Sequence, residues 1–102
     1  MQKKVKQIIG YKIQTNKEVE FLEIKKQMIH ESKGLAGLYS STTSKSLDEN
    51  NVYIDSMIWE SKEMAVDSCE NFKNLPTANA FMKIMAEPPI FQYFMEFEKD
   101  NI

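Results

Sequence analysis

The sequence predicts an α+β domain with the element order β-α-β-β-α-β, and three features of the 102-residue chain carry that prediction. Apolar and polar residues alternate near both ends, as a half-buried strand requires, and two stretches between them space their apolar residues at helical intervals. The joint Ile58-Trp59-Glu60-Ser61 sets a strand ending in an aromatic directly before a serine placed to cap a helix.

Residues 5–14 alternate, with Val5, Gln7, Ile9, Tyr11 and Ile13 on one face and Lys6, Ile8, Gly10 and Lys12 on the other. Thr15-Asn16-Lys17-Glu18 then reads as a capping box, in which a threonine oxygen and a glutamate satisfy the first free amides of a helix. That helix is expected to run to about residue 33, with Phe21, Leu22, Ile24, Met28 and Ile29 in its apolar stripe. Gly34 is the residue expected to turn left-handed at its end.

A second strand is expected over 35–43 and a polar turn over 44–51. The third strand, 52–60, divides into Val52, Ile54, Ser56 and Ile58 against Tyr53, Asp55, Met57 and Trp59. Neither set suits open solvent, so both faces are expected to meet something.

Ser61 opens a second helix whose Ala65, Cys69 and Phe72 share a side. It should break near Leu75-Pro76, and Thr77 should cap a continuation carrying Phe81, Met82 and Met85 until Pro88-Pro89 stops it. The last strand, 90–98, places Phe91, Tyr93, Met95 and Phe97 opposite Ile90, Gln92, Phe94, Glu96 and Glu98. The order is the split, ferredoxin-like arrangement. No repeat, low-complexity segment or linker interrupts it, so residues 1–102 are expected to form a single domain.

Composition narrows the function. All thirteen basic residues are lysine, and without arginine there is no bidentate fork for phosphate or guanine edges. Nucleic acid is therefore not an expected partner. Nine lysines against six acids in residues 1–51, and four against nine thereafter, leave a charge asymmetry that solvated faces explain better than head-to-tail contact between protomers.

No apolar run is long enough to cross a bilayer, and the lysine-rich start has only Ile8-Ile9 where a secretory signal needs an apolar core. No membrane partner and a cytoplasmic location are the expectations. Cys69 is the only cysteine and His30 the only histidine, so no metal site is expected. On the helical wheel His30 lies away from the apolar stripe, as a solvated residue would. Cys69, on an apolar helix side, is expected to be an inert thiol.

With its elements in this order, the chain resembles the dimeric α/β-barrel family, whose members are called antibiotic-biosynthesis-monooxygenase-like. The resemblance rests on length, element order, the passage Lys33-Gly34-Leu35-Ala36-Gly37-Leu38 and the joint Ile58-Trp59-Glu60-Ser61, and it spans about residues 3–99. It implies a sheet with helices on one face and a second protomer's sheet on the other, hence a homodimer. It also implies a ligand cavity between sheet and helices, suited to a small apolar or aromatic compound.

Members include oxygenases that need no cofactor and act on quinols or phenolic polyketides, and enzymes that degrade haem. The haem branch relies on a first-strand asparagine, a tryptophan at the third-strand end and a histidine on the second helix. Trp59 matches the tryptophan and Gln7 stands near the asparagine position, but the second helix has no histidine. Haem cleavage is accordingly not expected.

The resemblance thus implies a cofactor-independent monooxygenase for a small hydroxylated aromatic compound; a non-catalytic ligand-binding or structural homodimer is the alternative. Asp55 shares a strand face with Met57 and Trp59, and a carboxylate among apolar neighbours holds a proton tightly enough to take one from a phenol. A bulge, or a bond to water or a lysine, would give Asp55 a merely structural place. Trp59 and Phe81 are candidate walls and Gln7, Tyr11 and Tyr93 candidate orienting groups; Trp59 also suits a plain core, and buried tyrosines often do no more than bond to a backbone carbonyl.

Overall fold

The structure, a computed structural model, describes residues 4–98 and residue 100. In chain order the elements are β1 (Val5–Lys12), α1 (Glu18–Ser32), β2 (Leu38–Lys45), β3 (Val52–Trp59), α2 (Lys62–Phe72), α3 (Pro76–Ile84) and β4 (Ile90–Met95). The strands form one antiparallel sheet in the order β2-β3-β1-β4, which is an α+β ferredoxin-like fold with its second helical region split in two. Residues 1–3, at the start of the lysine-rich run, and residue 99, at the far limit of the family resemblance, lie outside the described residues.

Pairing across the sheet puts opposed residues on the same face, so the alternation read in β1 extends to its neighbours. Gln7 pairs with Met57 and Tyr93, Ile9 with Asp55 and Phe91, and Thr43 with Asp55. Gln7, Tyr11, Tyr53, Asp55 and Trp59 are buried on the helix side. The opposite face carries Ile54, Ile90 and Phe94, which are 41%, 80% and 45% exposed.

The helix side is not uniformly filled. Tyr11, Ile13, Phe21, Ile24, Tyr53, Phe81 and Ile84 form one buried cluster. Within it Tyr11 meets the Phe81 ring edge-on at 5.0 Å and stacks on Tyr53 at 5.9 Å, geometries that suit the charge distribution of aromatic rings. Bonds from Gln14 N to Ile84 O and from Ala86 N to Lys12 O, both 2.8 Å, fasten the end of α3 beside β1. Away from this cluster, toward the start of β1 and the end of β3, the sandwich opens into a cavity.

Several local expectations need correction. The expected capping box does not form: Asn16 takes φ 69°, Lys17 is the N-cap residue without a side-chain cap, and Glu18 reaches Tyr53 and Lys45 instead. Two donors across the sheet outcompete one backbone amide. Gly34 does not turn left-handed, since α1 closes through Lys33 in right-handed geometry, and Gly37 carries the positive φ of 81°. A Cβ at Gly37 would stand 2.3 Å from the Met64 sulfur, so this glycine also allows α2 to approach.

The turn through Gly37 delays β2 to Leu38–Lys45, and β2 carries a register shift between Leu38 and Ser40. Ser61 does cap α2, accepting from Met64 N at 3.2 Å. For α3 the cap is Leu75 with Pro76 in the first turn, while the Thr77 hydroxyl donates to Glu31. Within the predicted stripe of α1, Phe21 and Ile24 are buried but Leu22 and Ile29 are about half exposed. β4 ends at Met95, leaving Phe97 exposed beyond it. Among the described residues no helix is long and apolar enough to cross a membrane.

Candidate functional site

The cavity holds about 500 Å3 between the sheet, α1 and α2. Met28, Met57, Trp59 and Phe72 supply its apolar wall, and Lys25, Thr43 and Asp55 supply a polar one. This matches the usual make-up of small-molecule sites, mostly apolar with a few convergent polar groups.

Asp55 lies in the middle of a central strand, 4% exposed, and is therefore neither at an edge nor at the one register shift of the sheet. Its surroundings are not apolar. Tyr11 Oη donates to Oδ1 at 3.0 Å, Thr43 Oγ1 donates to the same oxygen at 2.8 Å, and Lys25 Nζ donates to Oδ2 at 2.5 Å. Lys25 comes from α1, Thr43 from the adjacent edge strand and Tyr11 from β1, so three elements converge on one carboxylate.

Burial first, and then the charge and hydrogen bond of Asp55, raise the Tyr11 hydroxyl well above the ordinary tyrosine range. Tyr11 therefore stays a donor to Asp55. At the N-terminal end of α1, the Tyr53 hydroxyl and Lys45 hold the Glu18 carboxyl below its usual range. Burial and the bond to Glu18 in turn push Tyr53 up to about 12.

Trp59 is 2% exposed and its Nε1 donates to Gln7 Oε1 at 3.0 Å. Gln7 Nε2 continues the chain to Cys69 Sγ at 3.2 Å. Gln7, itself 1% exposed, thus fixes the indole against the sheet and ties it to α2. Cys69, expected as inert core, is half-buried and lines the cavity. Burial, with the charge and hydrogen bond of Cys69 beside it, pushes the Tyr93 hydroxyl up to about 12.

Of the residues singled out in the sequence, Asp55, Gln7 and Trp59 line the cavity. Tyr11 and Phe81 do not, because both are packed in the aromatic cluster next to it, although the Tyr11 hydroxyl still reaches Asp55. Tyr93 does not line it either, lying half-buried on edge strand β4. His30 is exposed on α1. Among the described residues no three His, Cys, Asp or Glu side chains stand together as a metal site.

Lys25 and Thr43 escaped the sequence reading. A signal for Lys25 was present: on a helical wheel it falls about 40° from Phe21 and about 60° from Met28, inside the apolar stripe where a lysine needs a buried partner. Thr43 carries a weaker signal, since alternation along β2 puts it on the face of Ser41 and Lys45 without naming its partner.

Known structures share this fold. SnoaB, a cofactor-independent oxygenase from Streptomyces nogalater, is similar with a TM-score of 0.82 at 14% identity, over 96% of this chain and 97% of that one. A protein from Nitrosomonas europaea described as a candidate antibiotic biosynthesis monooxygenase gives 0.82 at 18% identity, over 94% and 93%. A conserved protein from Methanosarcina mazei Go1 gives 0.79 at 9% identity, over 93% and 94%. No family model matches the chain, and no curated protein matches it in sequence. The fold is that of antibiotic-biosynthesis-monooxygenase-like structures, in line with the resemblance read from the sequence.

Proposed function

We propose that the chain is a cofactor-independent monooxygenase whose cavity takes a small, flat, hydroxylated aromatic compound, a quinol or a phenol. The observation that carries this reading is the cavity of about 500 Å3, whose wall combines Met28, Met57, Trp59 and Phe72 with the Asp55 carboxylate and the donors that converge on it. Its volume lies within the common range for small ligands. The likeness in fold to SnoaB, named a cofactor-independent oxygenase, supports the same reaction class.

An electron-rich phenol that loses its proton becomes an anion able to reduce dioxygen itself. The protein's part is then to hold the ring and accept the proton. Asp55 is the candidate base, Trp59 and Phe72 offer flat walls, and Gln7 keeps the indole in place. Tyr11 serves by orienting Asp55 rather than by touching the ligand.

Oxygen uptake with a panel of quinols and phenols should exceed the protein-free rate, and Asp55→Asn should lower it by about a hundredfold or more with circular dichroism unchanged. Equal uptake by the variant would remove Asp55 from the mechanism. One observation favours a second reading, a non-catalytic ligand-binding homodimer: the carboxylate already accepts three hydrogen bonds and so has little capacity left for a substrate proton. No acceleration with any compound, together with saturable quenching of Trp59 fluorescence, would select that reading.

In both readings the outer sheet face, where Ile54, Ile90 and Phe94 are exposed, covers a second copy of the chain. Light scattering at micromolar concentration should give twice the protomer mass, and Ile54→Lys should shift it toward monomer. Monomer mass for the unaltered protein would overturn this assignment.

A further inference from the structure

We propose that Lys25 does more than neutralise Asp55: its ammonium receives the ligand's oxygen and makes the cavity select ionisable hydroxyls over the corresponding ethers. This deepens the reading of the cavity as a site for hydroxylated aromatics and rests on it. The argument begins with placement. Lys25 projects from the sheet-facing side of α1, between Phe21 and Met28, and its side chain is only 11% exposed. A lysine in an apolar stripe ordinarily snorkels to solvent, whereas this one turns inward onto the cavity wall.

The hydrogen-bond capacities of the pair are unequal. Asp55 accepts from Tyr11 and Thr43 at Oδ1 and from Lys25 at Oδ2. An ammonium has three N–H donors, and among the described residues Lys25 spends one of them, on Asp55. The capacity left open at the pair is therefore two ammonium donors and one acceptor site on Asp55 Oδ2. A ligand hydroxyl is the group that uses both.

A phenolic oxygen accepting from Lys25 places its own hydrogen beside the Asp55 carboxylate. If the proton moves, the ligand O–H bond breaks and an O–H bond to Asp55 forms. The phenolate then faces the ammonium, and the net charge in the cavity is unchanged. In surroundings lined by Met28, Met57 and Phe72 such a charge-conserving transfer avoids the cost of burying a lone anion. An ether has no proton to give and sets a methyl group against a carboxylate. The site should discriminate between the two through this one contact.

The test compares para-nitrophenol with para-nitroanisole by equilibrium dialysis and by the absorption of the bound phenol. The unaltered protein should prefer the phenol by about tenfold or more and should show the phenolate band on binding. Lys25→Met should lose both the preference and the band. Lys25→Met/Asp55→Asn, which leaves no unpaired charge, should do the same with the fold secure. Retention of the preference and the band by the double variant would overturn the role of Lys25. Equal binding of both compounds by the unaltered protein would overturn it as well while leaving the cavity reading standing. No saturable binding of either would overturn the cavity reading and this inference together.

Discussion

Lys25→Ala should lower the unfolding free energy by about 3–5 kcal/mol, because it strands the Asp55 carboxylate in a site 4% exposed to solvent. A buried ion pair gains little over well-packed apolar residues, yet removing one partner leaves the full cost of desolvating the other. Tyr11 and Thr43 still donate to Oδ1, so the loss falls on Oδ2, which Lys25 alone satisfies among the described residues. For a chain of this length, with total stability of about 5–15 kcal/mol, that is a large fraction. Urea unfolding should show a lower midpoint with an unchanged slope.

The companion Lys25→Met/Asp55→Asn should recover most of that stability by removing both charges while the amide oxygen that replaces the carboxylate still accepts from Tyr11 and Thr43. Recovery would identify the stranded charge, rather than lost packing of the lysine stem, as the cause. A loss below about 1 kcal/mol for Lys25→Ala would instead place the pair in the class of solvent-screened surface bridges. The pair would then be an unsuitable anchor for chemistry in the cavity.

Trp59→Ala should cost about 3–5 kcal/mol from lost packing alone, since the indole is 2% exposed. A further penalty follows because Gln7 Oε1, itself buried, loses its donor. The two losses act at one place, where the end of β3 meets α2 and the chain Trp59, Gln7, Cys69 ties strand to helix. Trp59→Phe separates them: it keeps much of the apolar area and still orphans Gln7, so it should fall between the unaltered protein and the alanine variant. Equal stability of the phenylalanine variant and the unaltered protein would show that water replaces the indole N–H at Gln7. Thermal and urea unfolding of both variants provide the check.

Much of this architecture was legible from spacing. Period-two alternation in residues 5–14 and 52–60 separated the residues of each strand into two faces, and Gln7, Tyr11, Tyr53, Asp55 and Trp59 fall together on the one that is buried under the helices. The serine after the strand-end tryptophan marked the start of α2, and its hydroxyl accepts from Met64 N. Pro76 marked the division between α2 and α3. Such features depend on a few consecutive residues, which is why a sequence displays them.

Local chemistry that competes with a distant partner was read less well. Thr15-Asn16-Lys17-Glu18 satisfies the pattern of a capping box, but Tyr53 and Lys45 claim the Glu18 carboxylate. Gly34 and Gly37 are equally able to adopt a positive φ, and it is Gly37, where Met64 also leaves no room for a Cβ, that does so. The candidate site shows the same division. Asp55 and Trp59 stand out by strand face, whereas the exclusion of Tyr11 and Phe81 from the cavity depends on how far along the sandwich the aromatic cluster extends.

The sequence by itself determined the element order, the ferredoxin-like fold and, in β1, β3 and β4, which residues share a face, because hydrophobic periodicity encodes the sides of an element. Only the tertiary structure decided what each buried polar group meets there. Lys25 and Asp55 are 30 residues apart, and Tyr11 and Asp55 are 44 apart. No periodicity reports a contact of that separation. It is set by the sheet order, the strand register and the position of α1 over the sheet, and these turn a carboxylate expected among apolar neighbours into the centre of a buried hydrogen-bond network.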